Sequence, residues 1–319
     1  MPDGIFYIVL NMSIAACFVI AVLLLVRLIR PLPRRFVYPL WALAFFRLVI
    51  PFSPAFGWSM FNFMGSLVKK LVPFEAFTGS KIHLPASTDM TVMNMVGAAE
   101  SYRPVTYKTE YLKQIFAAGS VIWSVVAAAL LLAFGIMYLL TYRELRNADH
   151  VRESIYSSEM VLSPVLAGVF RPRIILPDGV DPDSTAGKMI LEHENVHRRR
   201  LDNLWRLLAA AVACIHWFNP LVWVMIDAFF RDMELSCDEA VLRRGKYDSD
   251  ACRAYASTLL QFSGHKSFAA SSSFARSGVR KRIINVLNYR KMTLISAAAS
   301  AVFVLAIALA LFTNPSLKG

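Results

Sequence analysis

Residues 193–197, His-Glu-Asn-Val-His, set two imidazoles four positions apart with a carboxylate beside the first. On an α-helix, positions i and i+4 share a face, so His193 and His197 can present ring nitrogens to one metal ion. Zinc suits them, because it takes neutral imidazoles in tetrahedral geometry and a catalytic site keeps one position for water. Glu194, on the adjoining part of the helix surface, can take a proton from metal-activated water without being a ligand. The competing reading is a basic amphipathic helix that carries two histidines by coincidence. The chain has only six histidines, which favours the metal.

A third ligand is needed. Downstream, Arg231 to Glu239 offers Glu234 with Asp238 at i+4. Glu234 can ligate, and Asp238 can accept the N–H of a ligating histidine and so fix its tautomer. An ordinary acidic surface turn is the alternative. Cys237 is a competing soft ligand, but it is expected off the Glu234/Asp238 face and reads as a small buried residue.

These groups must be positioned by several elements. Glu159 to Pro177 has short β-branched runs broken by Pro and Gly, which predicts two or three short strands in a small sheet or hairpin. Asp181 to Thr185 looks like a helix start, with the helix running through the histidines. Asp248 to Phe262 is a further helix, and the serine-rich stretch from Lys266 to Gly278 reads as a mobile loop.

The run Leu207 to Ile226 is uncharged but interrupted by Asn219-Pro220. A single membrane crossing there would put the histidines and Glu234 on opposite sides. A hairpin avoids this: Asp202 or Asn203 caps a first helix, Asn219-Pro220 turns the chain, and arms 203–218 and 221–234 are each about 20 Å long. The hairpin is expected to dip into or lie on a membrane and not to form a fifth span.

The membrane itself follows from composition. The 319 residues are 56% hydrophobic and 18% charged, with a mean hydropathy of +0.49. Gly4 to Val26, Phe36 to Phe56 (apolar except for Arg47), Ile115 to Tyr142 and Met292 to Leu317 each reach the ~20 residues that cross a bilayer. Residues 1–56 are thus expected to hold spans one and two, 57–113 an extracellular loop, and 114–142 the third span. Residues 143–291 form a cytoplasmic domain that includes the hairpin 203–234, and 292–319 the fourth span with a short external tail.

Arg27, Arg30, Arg34 and Arg35 put the first link inside, and the basic residues of 143–291 agree, leaving both termini outside. Ile14-Ala15-Ala16-Cys17 resembles a lipoprotein cleavage box, but Asp3 and the absence of a preceding Lys or Arg favour a retained span. The formal net charge of +12 is explained by topology and by attraction to anionic membrane lipid. No direct nucleic-acid binding is expected, since the basic residues gather at membrane boundaries. The four cysteines suggest no disulfide framework. Arg47 near the bilayer midplane reads as a packing or snorkelling residue, and His216 as structural.

The HExxH motif, the turn His216-Trp217-Phe218-Asn219-Pro220 and the later Glu-Leu-Ser-Cys-Asp-Glu (234–239) together resemble the bacterial β-lactam sensor-transducers, the BlaR/MecR-type antirepressors. The resemblance covers nearly the whole chain. It implies a polytopic α-helical protein of four transmembrane helices with a cytoplasmic α+β gluzincin-like zinc metallopeptidase domain, and an edge strand that holds substrate. It also implies Zn2+ held by His193, His197 and Glu234, Glu194 as general base, and a cytoplasmic transcriptional repressor as substrate. Self-cleavage in that family points to Ser273–Phe274, within Ser271 to Arg276. Those sensor-transducers continue after the fourth span into a penicillin-binding domain. This sequence stops at Gly319 without that domain, so a different signal, a partner (a separate sensor protein or a homo-oligomer) or a truncation is expected. A membrane quality-control zinc protease and a non-catalytic receptor or scaffold are the alternative functions.

Overall fold

A computed structural model of the chain describes residues 2–29, 32–51, 110–245, 249–263, 273–289 and 292–312. They form a mostly helical molecule with one small sheet. Helix α1 spans Pro2–Arg27, α2 Arg34–Val37, α3 Trp41–Val49 and α4 Glu110–Arg146. Strands β1 (Asp149–Arg152), β2 (Ile155–Ser158), β3 (Val165–Ala167) and β4 (Arg173–Pro177) follow. Then come α5 (Thr185–Arg200), α6 (Asp202–Ile215), α7 (Pro220–Arg244), α8 (Ser249–Ser263), α9 (Ser273–Leu287) and α10 (Leu294–Phe312).

Among the described residues, three stretches are long and apolar enough to cross a membrane: Ile5–Arg27, Phe116–Arg146 and Leu294–Phe312. Their apolar windows are 39%, 11% and 6% buried inside the protein. The last two therefore present apolar surface outward along most of their length, such as Leu132 and Leu305. Helices of this length and composition match a hydrocarbon core of about 30 Å.

The stretch expected to form the second span is built differently. Arg34–Val37, a 3₁₀ turn Tyr38–Leu40 and Trp41–Val49 follow one another with helical dihedrals at the junctions. Pro39, which has no amide hydrogen to donate, lies in the 3₁₀ turn. Helix α3 has 9 residues, about 14 Å at 1.5 Å each, and is too short to cross alone. Residues 52–56 of the expected span, and 57–109 of the expected loop, lie outside the described residues. Arg47 is buried, and its Nη2 donates to the carbonyls of Leu311 and Phe312, both at 3.2 Å. It thereby satisfies acceptors that the end of α10 leaves open.

Helices α6 and α7 form a hairpin joined by residues 216–219. Asn219 caps α7, its side chain accepting from the Leu221 amide at 2.9 Å, with Pro220 at the first position. The turn is enclosed by other helices. Trp123 of α4 donates to the Ile215 carbonyl at 2.8 Å, and Asn219 Nδ2 donates to Ser13 Oγ of α1 at 2.7 Å. His216 is fully buried with Nε2 3.0 Å from the Leu48 carbonyl, which gives it a structural place. The hairpin core is apolar: Val212, Val222, Met225 and Phe229 pack with Val19, Leu23, Trp41 and Phe45.

Two carboxylates of α7 hold the link between α1 and α2. Asp232, fully buried, accepts from Arg27 Nε at 2.9 Å and from Trp41 Nε1 at 3.0 Å. Glu239 accepts from the backbone amides of Arg34 and Arg35 at 3.0 and 3.1 Å. These are first-turn amides of α2 that have no partner within their own helix.

The sheet order is β1-β2-β4-β3. Strand β2 pairs parallel with β4, and β3 pairs antiparallel with β4 in the register Leu166↔Ile174, so β3 forms one edge. Leu166, Ile174 and Leu176 pack on Ile190 and Leu191 of α5, while Ala167 and Ile175 on the other face pack on Leu145 and Ala148. The two hairpin strands fall in the stretch read as β; β1 and β2 are additional.

Ser184 caps α5 by accepting from the Gly187 amide at 2.9 Å. Gly187 sits so close to the preceding turn that a Cβ would collide with the Asp181 carbonyl and crowd Pro182. We expect Gly187→Ala to destabilise the protein by about 1–3 kcal/mol, typical of overpacking. A freely accommodated substitution would instead gain about 1 kcal/mol of helix propensity. Thermal unfolding in detergent distinguishes the two signs.

Candidate metal centre and active-site cleft

The histidine-bearing helix α5 and the second hairpin arm α7 lie side by side and bring three ligand-type groups together. His193 Nε2 and His197 Nε2 are 3.1 Å apart. Glu234 places Oε2 3.6 Å from the first and Oε1 3.8 Å from the second. A tetrahedron with arms of 2.0–2.1 Å has edges of about 3.3–3.4 Å, so these separations fit a first-row ion such as zinc.

The far side of each imidazole is held. His197 Nδ1 lies 2.6 Å from Asp202 Oδ2, and Tyr38 donates to the other Asp202 oxygen at 2.8 Å. His193 Nδ1 lies 2.9 Å from the Tyr255 hydroxyl and 3.3 Å from Asp238 Oδ1, and the tyrosine donates to Asp238 at 2.8 Å. A carboxylate can only accept from Asp202's side of the pair, which puts the His197 proton on Nδ1. Tyr255, already donating to Asp238, likewise accepts from His193 Nδ1. In the neutral rings both Nε2 atoms are then left with the lone pairs that face Glu234.

Asp238 lies beside His193. Asp202 was read as a helix cap, and its role as the partner of His197 was missed. Tyr255 was missed as well. The i, i+5 separation of His197 and Asp202 crosses the left-handed Leu201 (φ 56°) between two helices, a break that helical periodicity does not anticipate.

Arg282, on α9, is the largest addition. Its Nε and Nη2 donate to the two oxygens of Asp238, each at 2.8 Å, and Nη1 lies 3.0 Å from Glu234 Oε2. Nη2 also lies 3.3 Å from His193 Nε2. Burial disfavours charge on Glu234 and Asp238, but the guanidinium and the histidines outweigh it and hold both carboxyls below their usual range.

Cys237 requires a correction. It was expected off the Glu234 face, yet residues i and i+3 of a helix adjoin, and its thiol falls in the same buried group. The ligand atoms of His193, His197 and Cys237 lie within 4.8 Å of one another. The thiol donates to the His193 carbonyl at 3.4 Å. Of the arginines after the motif, Arg198 donates to Ser154 Oγ at 2.8 Å and Arg200 to Ser236 Oγ at 3.1 Å. Both tie α5 to its neighbours.

The metal group opens into a cleft of about 220 Å³. Glu194 lines it beside the two histidines, Val165 and Leu166 of the edge strand form one wall, and Thr258, Leu259 and Phe262 of α8 another. Ser273 and Phe274 open α9. Their side chains and residues 264–272 lie outside the described residues. The stretch 273–278, expected in a loop, belongs to the first turns of that helix.

Residues 7–286 match the profile of the family described as BlaR1 peptidase M56. The chain belongs to that family. It is also 33% identical over 177 residues to the regulatory protein BlaR1 of Bacillus licheniformis, a match that covers 53% of this chain and 29% of that protein. The chain thus aligns with under a third of its relative's length. The family is one of peptidases, and the buried histidine group is one that could hold a metal ion.

In the M56 site, burial pulls the pKa of the His197 ring down, but Cys237, Asp202 and Glu234 outweigh it and raise it to about 9. That shift favours the protonated ring, in which Nε2 carries a proton that metal uptake must displace. We expect Zn2+ titration at pH 7 to release protons and apparent affinity to rise with pH up to about 9. An indicator dye in weak buffer reads the release, and uptake without it would remove His197 Nε2 as a ligand.

Proposed function

We propose that the chain is a membrane-embedded zinc endopeptidase that cleaves a cytoplasmic protein, a transcriptional repressor in a signalling circuit, and that it also cuts itself. The convergence of His193, His197 and Glu234 beside Glu194, in a cleft walled by an edge strand, carries this reading. His193, His197 and Glu234 hold the metal, with Asp238 and Asp202 orienting the imidazoles. When bound, the metal supplies Lewis acidity and lowers the pKa of a coordinated water. A substrate peptide lies extended along β3, adding a strand to the sheet edge. Glu194 accepts the proton of the attacking water and passes it to the departing amine. The bond Ser273–Phe274 is the proposed self-cleavage site, and α9 must unwind its first turn to present that bond in extended form.

The same reading assigns four spans, both termini outside and 143–291 in the cytoplasm. The hairpin 203–234 is then re-entrant, with its non-helical turn shielded by protein as the hydrocarbon interior requires. Mutating only the activity would not separate this reading from a binding scaffold, so two measurements are paired. Wild type and His193→Ala/His197→Ala are assayed for bound zinc, and membranes are assayed for cleavage of a co-expressed repressor. The expected result is about one zinc per chain lost in the double variant, with cleavage lost alongside. Zinc binding without any cleavage would favour the scaffold, and unchanged zinc in the variant would remove the ligand assignment.

A further inference from the structure

We propose that the β3–β4 turn, residues 168–172, is an additional membrane contact that seats Phe170 in the interfacial layer of the inner leaflet. Phe170 is 98% exposed, more than any other large hydrophobic residue described. It follows Gly168, whose left-handed backbone (φ 86°) lets the chain reverse tightly. An aromatic ring left wholly in water at a turn tip gives up the burial that such a side chain favours.

The turn is tied to the membrane-facing part of the protein on two sides. Asn203, at the base of the re-entrant hairpin, donates from Nδ2 to the carbonyls of Leu166 at 2.8 Å and Gly168 at 2.7 Å. Tyr142, on the other side, approaches Gly168 closely enough that a Cβ there would lie 3.8 Å from its ring. Tyr142 is the last uncharged residue of the candidate span before Arg143.

Depth follows from helix rise. Trp123 touches the hairpin turn at Ile215, and Asn203 lies about 18 Å back along α6 from that level at 1.5 Å per residue. Tyr142 lies about 28 Å back along α4. Both residues thus lie well back from the turn, toward the end of the candidate span where Arg143 and Arg146 follow, and tyrosine is enriched at such membrane boundaries. The sheet direction agrees. Leu145 and Ala148 pack along the sheet face, and β1 then returns toward the turn. Arg171 follows Phe170 within the turn, with the sign that anionic headgroups attract, while Arg173 lies over the Tyr156 ring. The edge strand that walls the cleft is therefore fixed close to the lipid surface.

The inference rests on the membrane reading and not on the peptidase chemistry. The test uses spin labels on the full chain, one molecule per nanodisc of mixed zwitterionic and anionic lipid. Phe170→Cys is compared with Leu132→Cys, exposed on α4, and Met160→Cys, 72% exposed at the opposite end of the sheet. The labelled parent chain supplies the cysteine background. Collision with oxygen is expected to exceed collision with a water-soluble nickel chelate at 132, with the ratio at 170 close to it and the reverse at 160. A ratio at 170 equal to that at 160, with 132 in lipid, overturns the anchor and leaves the membrane reading standing. A label at 170 shielded from both reagents means that protein covers it, which also overturns the anchor. Water-like labels at both 132 and 170 would defeat the membrane reading itself.

Discussion

Glu194→Gln is expected to lower the rate of substrate cleavage by about 10²–10⁴-fold while leaving zinc content unchanged. That range is typical for loss of a positioned proton acceptor, and glutamine keeps the size and hydrogen-bonding reach of the side chain. Glu194 is buried and lines the cleft next to both histidines, while the proposed ligand set is His193, His197 and Glu234. Metal retention and catalytic loss should therefore separate in this variant, whereas they should fall together when a ligand is removed. Cleavage assays in membranes and metal analysis of the purified chain check the two halves. Full activity in the glutamine variant would show that another group takes the proton, and loss of zinc would show that Glu194 is a ligand.

Arg282→Ala should act on stability and on metal binding in opposite conditions. Asp238 is fully buried, and removing the guanidinium leaves its charge uncompensated. Breaking such a buried pair costs about 3–5 kcal/mol. The cost should be largest without metal, because zinc at His193 and Glu234 restores positive charge to the same group. Glu234 also loses its 3.0 Å contact, and loss of an orienting partner lowers metal affinity by about 10–100-fold. Arg282→Lys keeps the charge but not the fork that reaches Asp238 and Glu234 together, so it should recover only part of each effect. Unfolding in detergent with chelator and with zinc tests the first claim, and competition with a zinc dye the second. Equal destabilisation in both conditions would mean that Arg282 serves only the fold.

The position of Arg282 also bears on self-cleavage. It lies on α9, the helix that opens with the proposed Ser273–Phe274 bond. Drawing that bond into the cleft requires unwinding near one end of the helix whose other half grips Glu234 and Asp238.

Local chemistry was legible in the sequence. The spacing of His193 and His197 fixes a common face on any helix that contains them, and Ser184 and the following residues mark where that helix starts. Asn219-Pro220 suits the start of a helix, through the asparagine cap and the proline at the first position, so the turn between α6 and α7 could be read directly. The uncharged runs of α1, α4 and α10 declared themselves by length alone. All of these depend on residues within one or two helical turns of each other.

The remainder depends on contacts that no short-range pattern encodes. Asp202 reaches His197 only because Leu201 adopts a left-handed backbone and redirects the chain, and Tyr38 reaches Asp202 from a segment far earlier. Cys237 enters the metal group because α7 packs with that edge toward α5. The stretch around Pro39 had the hydropathy of a span, but only the structure shows its passage through a 3₁₀ turn. Arg282 lies 48 residues beyond Glu234 in the sequence, on a helix otherwise read partly as loop. Periodicity specifies which face a side chain occupies. Which neighbour that face meets, and therefore how the buried charges are balanced, is decided by packing between helices distant in the chain.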